Sequence, residues 1–267
     1  MLIGSHIPYR FKLIQRKLVN RTFFFLKLRK FQGLERCVSQ TPSSIRINEL
    51  ISKLMIKCEY YLEVGLERGN TFRGVNAKFK IGVDPLPQIS KPWQINNMKV
   101  IQKTSDSFYE DNSTKFDFVF LDGLHTWDQT YKDLINSLKM LTKRGWILID
   151  DIVPSDEYAA LRSQIDCQVF KHNKGIPNNY WMGDVWLIVP LLKKFHPELD
   201  FVTLADEIQH PQLLVWRKDR YSEQNIQDFT NRFRNIAHQF DYSNMFKFGI
   251  PDTFKVIAVR DFCNLIR

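Results

Sequence analysis

Long apolar segments are absent from this sequence of 267 residues. No hydrophobic run approaches the ~20 residues that a membrane-spanning helix needs. Only four cysteines are present, and they show no short pairing pattern; this favours a reducing compartment over a disulfide scaffold. Internal repeats and low-complexity segments are also missing. We therefore expect a cytoplasmic protein with one large hydrophobic core, or one core plus a small appendage.

Most of the chain has almost no net charge. The excess of positive charge is concentrated at its start. Residues 1–36 hold nine Lys and Arg against one acid, whereas the remainder has 29 basic against 28 acidic residues. In residues 1–31 these charges alternate with apolar side chains. Two interpretations remain open: peripheral contact with an anionic membrane or a partner, or an extension packed on the domain. The interrupting charges argue against a secretory signal, and the neutral body argues against nucleic-acid binding.

The stretch 116–154 contains a strand–helix–strand pattern. Phe116–Leu121 and Trp146–Ile149 are apolar runs typical of buried strands. The residues between them repeat apolar side chains at helical spacing: Tyr131, Leu134, Ile135, Leu138 and Leu141. Thr126 and Gln129 match a capping box at the start of this helix, and Lys143 to Gly145 match its end.

Acidic residues follow both of these strands. Asp122 closes the first strand, and Asp150 with Asp151 closes the second. A strand–helix–strand unit makes the two strands parallel, so their C-terminal ends meet at one edge of the sheet. His125 follows closely after Asp122. Ligands bind at this edge in open α/β sheets, so the sequence predicts a functional site there.

Three further strand ends precede this unit. The predicted strand Tyr60–Val64 leads into a turn with Gly65 and Gly69, where the backbone can approach a ligand at a helix N-terminus. Phe79–Val83 is a second strand and ends at Asp84, the position of a ribose-binding acid in nucleotide-binding units. A third strand, over residues 99–103, is followed by Asp106 and Phe108, which are suited to bracket an adenine ring.

The ordered set of these segments resembles class I S-adenosylmethionine-dependent methyltransferases. Within that superfamily, the sequence over about residues 60–218 is similar to glycosyltransferase-associated and macrolide-sugar O-methyltransferases, and more distantly to catechol O-methyltransferase. The segment WMGDVWLIV resembles one common in the sugar-associated group, whereas Glu67 occupies the place of a loop glycine in many methyltransferases. The segments that carry the resemblance are EVGLERGNT, GVDP, SDSFY, FVFLDGLHTWDQ and ILIDDIVP.

This resemblance implies a cofactor and a set of binding residues. S-adenosylmethionine (SAM) would be held by the glycine loop, by the acids at the strand ends and by an aromatic wall beside the adenine. Asp84 would hold the ribose, and Asp106 with Phe108 would bracket the adenine. The cofactor-binding residues implied in this way are Glu63, Gly65, Gly69, Asp84, Asp106, Phe108 and Asp122.

The resemblance also implies a divalent metal and a base. Asp122, Asp150 and Asp151 match the metal ligands of the metal-dependent relatives, and oxygen ligands of this kind suit Mg²⁺ or Mn²⁺. His125 matches the histidine that takes the proton of the acceptor hydroxyl, with Asp122 beside it as a second catalytic residue. Alternatively, the acids cap helices and His125 bonds a loop backbone.

We predict a Rossmann-like α/β fold with helices on both faces of a mostly parallel sheet whose last strand is antiparallel. Residues 1–42 would form a basic extension, 43–220 the methyltransferase domain and 221–267 a helical appendage that covers the site or forms a homo-oligomer contact. An insertion over 155–183 would cover the acceptor through His172, Tyr180 and Trp181. His210 and Pro211 are predicted in a turn, and an amphipathic helix is predicted from Ile226 to Phe240.

The preferred function is methyl transfer from SAM to a hydroxyl of a sugar, glycan-linked or other small-molecule acceptor, assisted by a divalent metal. A metal-independent small-molecule methyltransferase is the alternative enzyme. A non-catalytic scaffold with the same fold, recruited to a membrane through residues 1–31, is the alternative of a different class.

Overall fold

The computed structural model describes residues 31–36, 39–206, 209–221 and 226–266. Residues 1–30, on which most of the membrane-contact prediction depends, lie outside this range. Within the described residues, no helix is both long and apolar enough to cross a bilayer.

One mixed sheet organises the described chain. Its strands in spatial order are β3-β4-β2-β1-β5-β6-β8-β7-β9. The strands are β1 (Tyr60–Val64), β2 (Phe79–Val83), β3 (Gln94–Ile95), β4 (Met98–Ile101), β5 (Phe116–Leu121), β6 (Leu141–Ile149), β7 (Leu199–Asp206), β8 (Gln209–Arg217) and β9 (Val256–Ile257). The run from β4 to β6 is parallel, and β8 lies antiparallel between β6 and β7. The predicted Rossmann-like sheet, mostly parallel with an antiparallel last major strand, is confirmed.

The helices flank this sheet. They are α1 (Pro42–Lys53), α2 (Asn70–Gly74), α3 (Ser105–Asp111), α4 (Trp127–Met140), α5 (Gln164–Asn173), α6 (Ile188–Phe195), α7 (Thr230–Arg234), α8 (Tyr242–Met245) and α9 (Val259–Ile266). Consecutive residues of β5 point to opposite faces: Val119 and Leu121 join one buried cluster, with α4 and α6, and Phe118 and Phe120 join another, with α1, α2 and α9. Helices therefore cover both faces, as predicted.

The ends of α4 differ from the sequence prediction. The side chain of Thr126 makes no capping hydrogen bond, so the predicted capping box is wrong. The first backbone N–H of the helix, that of Trp127, instead donates to Asp184 at 2.8 Å. The side chain of Gln129, the other residue of the predicted box, donates to Ser105 and Asp106 of α3 and to Asp133 of α4. Tertiary contacts thus replace the local cap.

Strands replace two segments that were predicted as helix end and turn. α4 ends at Met140, and residues 143–145 belong to β6. His210 and Pro211 belong to β8, where Pro211 stands near the start of the strand. Pairing with neighbouring strands supplies long-range hydrogen bonds that local turn and helix-end signals do not reveal.

The C-terminal segment adds to the same sheet. Val256–Ile257 pairs in parallel with β7. The predicted helix over 226–240 is only the five-residue α7 followed by a short 3₁₀ turn, Ala237–Gln239. Its aromatic residues pack on the α4–α6 face, and the N–H of Phe229 donates to the hydroxyl of Tyr131.

Residues 31–36 pack against the side of the domain that carries the loops after β1 and β2. Leu34 is buried in the same cluster as Leu66 and Phe72, and the N–H of Ser90 donates to the carbonyl of Gln32 at 3.0 Å. This short segment thus contacts the loops that follow β1 and β2.

Candidate active site

A cavity of about 930 Å³ opens at the C-terminal ends of β1, β2 and β5. It is where parallel α/β sheets bind ligands, because the loops that follow the strands diverge there. Six of the residues predicted to bind the cofactor or metal or to act in catalysis line it: Glu63, Gly65, Asp84, Asp106, Asp122 and His125. Gly69, Phe108, Asp150 and Asp151 were also predicted and are outside the cavity wall.

The glycine loop after β1 is in close contact with the loop after β5. Gly65 has a φ of +88°, and a Cβ placed on it would lie 1.9 Å from the carbonyl oxygen of Asp122. Only glycine fits such a position. Gly69, with a φ of +65°, precedes the first residue of α2. Glu67, the departure from the usual loop glycine, also has a positive φ, +44°; the loop thus keeps a left-handed residue at this position at some cost in strain.

Asp84 holds this loop in place. Its Oδ2 accepts hydrogen bonds from the N–H groups of Leu66 and Glu67 at 2.9 and 3.1 Å, and its Oδ1 accepts one from Leu86. The carboxylate therefore fixes the glycine loop, and it lines the cavity at the place predicted for a ribose.

Glu63 is a buried carboxyl at the end of β1. Its side chain accepts a 2.6 Å hydrogen bond from the hydroxyl of Tyr61, and the residue is only 2% exposed. Burial raises the pKa of Glu63 to about 8, although the Tyr61 hydrogen bond and the charge of Lys80 oppose the shift. Glu63 is therefore mostly protonated at neutral pH.

Asp122, His125 and Asp151 form the acidic part of the site. Nε2 of His125 lies 3.4 Å from Oδ1 of Asp122, and Nδ1 lies 2.9 Å from Oδ2 of Asp151. One ligand atom from each of the three residues can be chosen so that all lie within 4.8 Å of one another. The predicted convergence of the two strand ends thus brings these three residues together.

Asp150 is oriented differently from Asp151. Its Oδ1 accepts the backbone N–H of Asp151 at 2.9 Å. Burial, and then the nearby charges of Asp122 and Asp151, hold the pKa of Asp150 well above its usual value. Asp151 has a φ of +58°, a strained conformation of the kind that often occurs at functional sites.

The two carboxylates favour the protonated form of His125. Burial lowers its pKa, but the hydrogen bonds to Asp122 and Asp151 outweigh this effect and hold the pKa well above its ordinary value. In this arrangement the imidazole links two acids.

At the opposite end of the cavity, a polar cluster surrounds the predicted adenine residues. Asp106 forms a 2.7 Å ion pair with Lys132. Gln129 donates to Asp106 and to Asp133, and burial raises the pKa of Asp133 to about 7. Phe108 is 4% exposed and packs on Tyr109 and Phe116 in the core. The structure therefore does not bring Phe108 to the cavity, because the apolar side of α3 faces the sheet.

The segment after β6 supplies the remaining wall. Tyr180 and Trp181 line the cavity, and the indole N–H of Trp181 donates to the carbonyl of Leu161 at 2.6 Å. Lys171 is buried and donates to Asn178 and to the carbonyl of Tyr180, which fixes this wall. His172, also predicted as an acceptor contact, is exposed and lies outside the cavity wall.

Sequence reasoning missed several of these residues. Tyr61, Asp133 and Lys171 are buried polar residues with specific partners, and the tertiary fold supplies those partners. Gln129 was interpreted as a local cap. No sequence signal connects Trp127 with Asp184, since they meet only through the tertiary fold.

Comparison with known proteins supports this arrangement. Residues 62–152 match the family model described as a methyltransferase domain. That range contains the glycine loop, the Asp122–His125 turn and the Asp150–Asp151 pair. This part of the chain is therefore similar to methyltransferase domains.

Solved methyltransferase structures also align with the chain. The SAH-bound methyltransferase PaMTH1 of Podospora anserina is 14% identical, with 81% of this chain and 100% of that chain covered and a TM-score of 0.47. The O-methyltransferase of Bacillus cereus in complex with SAH is 12% identical, with 76% and 90% covered and a TM-score of 0.42. The N-methyltransferase NodS of Bradyrhizobium japonicum WM9 is 16% identical, with 65% and 91% covered and a TM-score of 0.42. No curated protein matches the sequence.

Proposed function

We propose that this protein transfers a methyl group from SAM to a hydroxyl of a sugar or another small-molecule acceptor, with a divalent cation at the site. The observation that carries the proposal is the contact between two loops. The glycine loop at Gly65 touches the turn at Asp122, and that turn leads directly to His125. A cofactor in the glycine loop would thus lie next to the acid–histidine cluster.

The cavity fits SAM in size and in chemistry. Gly65 allows the glycine loop to lie directly against the backbone of Asp122 without a side-chain clash, and acids line both ends of the cavity. Glu63 would face the amino-acid part of the cofactor and Asp84 its ribose, as the resemblance implies. Bound SAM supplies an electrophilic methyl group on a sulfonium. The protein's part is to hold the acceptor oxygen in line with that group.

The acidic cluster has a donor set that fits a divalent cation. The carboxylates of Asp122 and Asp151 approach one another around His125, and Asp150 is the adjacent third carboxyl. Asp122, Asp150 and Asp151 are the proposed ligands, and oxygen donors of this kind suit Mg²⁺ or Mn²⁺. A cation held there would stabilise the negative charge that develops on the acceptor oxygen.

His125 is the proposed base. The acceptor hydroxyl would lose its proton to a ring nitrogen of His125 while its oxygen bonds to the methyl carbon, whose bond to sulfur breaks so that S-adenosylhomocysteine leaves. The hydrogen bonds to Asp122 and Asp151 favour the imidazolium, so His125 must first become neutral. A cation bound to both carboxylates would compete with these hydrogen bonds and would thus favour the neutral imidazole.

An acceptor screen tests the proposal. The protein is incubated with SAM, Mg²⁺ and panels of sugars, glycosides and catechols, and the S-adenosylhomocysteine (SAH) formed is measured by mass spectrometry. We expect acceptor-dependent SAH that disappears with chelator. His125→Gln should reduce the rate about 100-fold or more, whereas His238→Gln, at an exposed histidine far along the chain, should not.

Each alternative corresponds to a distinct result. Transfer that persists fully in chelator would favour the metal-independent enzyme, a candidate supported by the direct bonding of His125 to Asp122 and Asp151. A folded protein that binds neither SAM nor SAH would favour the scaffold.

A further inference from the structure

The side-chain amide of Gln129 is surrounded by oxygen atoms on its nitrogen side. Nε2 lies 3.2 Å from Oγ of Ser105, 3.2 Å from Oδ1 of Asp106 and 3.1 Å from Oδ1 of Asp133. The carboxylate oxygen of Asp106 accepts hydrogen bonds, so it requires the NH₂ group and repels the amide oxygen. The ion pair between Asp106 and Lys132 reinforces this choice, because Lys132 occupies Oδ2 and leaves Oδ1 to face the amide. The orientation of the amide is therefore determined by its surroundings.

This orientation leaves Oε1 of Gln129 as an acceptor. Within the described part of the chain, no donor reaches that oxygen, although the side chain is partly buried and lines the cavity. A ligand that brings a hydrogen-bond donor to a partly buried oxygen binds more tightly, whereas a ligand that brings a second hydrogen-bond acceptor binds more weakly.

The neighbouring carboxylate is already engaged. Oδ2 of Asp106 accepts from Lys132 and Oδ1 accepts from Gln129. The sequence alone predicted that Asp106 would bind the amino group of adenine. Because of these contacts, Gln129 is better placed than Asp106 to accept a hydrogen bond from an adenine amino group at this end of the cavity.

We propose that Gln129 reads the 6-amino group of the cofactor's adenine through Oε1, and that it thereby selects an adenosyl over an inosyl cofactor. The inference rests on the proposed function, since it assumes that the nucleoside of SAM occupies this end of the cavity. A 6-amino group donates a hydrogen bond to Oε1. The 6-oxo group of hypoxanthine presents a lone pair instead, and both the ligand and Gln129 then lose a partner.

Calorimetric titration of the full-length protein with two ligands tests this assignment. The ligands are SAH and S-inosylhomocysteine, which differ at position 6 of the base and, as a consequence, in the protonation of N1. Wild type should bind SAH at least about tenfold more tightly. In Gln129→Met that ratio should fall to within about threefold, mainly through weaker binding of SAH. Gln164→Met, the same change at another glutamine of the cavity wall, should keep the wild-type ratio.

Three results would overturn the inference. Equal binding of both ligands by wild type needs no variant and would exclude a reader of the 6-amino group. A Gln129→Met protein that keeps the wild-type ratio and both wild-type affinities would assign the selectivity elsewhere. A Gln129→Met protein that keeps the ratio but binds both ligands equally more weakly would mean that Gln129 contacts the ribose or only packs. Failure of wild type to bind either ligand is a different outcome, because it removes the proposed function itself.

Discussion

The indole of Trp181 lies flat on the imidazole of His125, with ring centroids 5.0 Å apart and 20° between the planes. The carbonyl oxygen of Trp181 also lies 3.1 Å from Nδ1 of the same histidine. Trp181 of the cavity wall and the proposed base His125 are therefore one structural unit. A ligand that moves Trp181 must also move His125.

Trp181→Leu should slow methyl transfer more than it weakens cofactor binding. Loss of the stacked ring leaves the imidazole free to turn, and small displacements of a catalytic group reduce rates strongly. We expect the transfer rate to fall at least about tenfold, and the dissociation constant of SAH to change by less than about threefold. Trp93→Leu is the control, since that indole N–H also donates to a single carbonyl but lies outside the cavity wall. Equal effects of the two variants on transfer would contradict the account.

Gly65→Ala should disrupt the cofactor loop. The new Cβ would lie 1.9 Å from the Asp122 carbonyl oxygen, which forces the two loops apart at a cost on the order of 3 kcal/mol in unfolding free energy. Gly175→Ala has a similar positive φ, +68°, with nothing within 4 Å of its Cβ, and should cost only about 1 kcal/mol. Chemical denaturation measures both, and SAH titration should show binding lost only in Gly65→Ala. Similar losses of stability would mean that backbone strain and not the clash is decisive.

The acidic cluster should bind Mn²⁺. Asp122→Asn and Asp151→Asn each remove a charged ligand and should weaken Mn²⁺ binding, followed by electron paramagnetic resonance, at least about tenfold. Asp111→Asn removes an exposed carboxylate that pairs with Lys103, and should leave Mn²⁺ affinity unchanged. Mn²⁺ binding that is insensitive to Asp122 and Asp151 would place the metal elsewhere or exclude it.

Cofactor binding should release a proton from Glu63. Because burial raises its pKa to about 8, Glu63 is mostly protonated at pH 7, and a cationic amino group beside it would favour the ionised form. SAH affinity should therefore increase with pH between about 6 and 8. Titrations at pH 7 in two buffers with different ionisation enthalpies should show release of nearly one proton. In Glu63→Gln, which cannot ionise, this release should vanish; an unchanged release would assign the proton to another group.

The regular part of the fold could be predicted from sequence. Apolar runs such as Phe116–Leu121, and the helical spacing of Tyr131 to Leu138, directly reflect burial between a sheet and its covering helices. The acids at strand ends could be placed at one edge because parallel strands share their C-terminal side. The helix end predicted at Lys143–Gly145 was wrong because β6 begins at Leu141 and pairs with β5 on both sides of those residues, Phe116 with Leu141 and Phe118 with Trp146. This pairing is a long-range effect.

The finer geometry of the site could not be predicted in the same way. Which of Asp150 and Asp151 contacts His125 depends on the left-handed backbone at Asp151. A left-handed backbone can be anticipated from sequence at a glycine, but not at an aspartate. Phe108 was placed beside an adenine from its position after Asp106, but the rotation of α3 turns its ring into the core. Gln129 was assigned to a local cap, although its partners include Ser105 and Asp106 of another helix, α3.

The central claim is that the cavity is a SAM site, and direct titration of SAH into the wild-type protein tests it. The account predicts saturable binding at one site per chain, retained in Gly175→Ala and lost in Gly65→Ala. A folded wild-type protein that shows no heat of binding, and no rise in thermal stability with SAH, would contradict it.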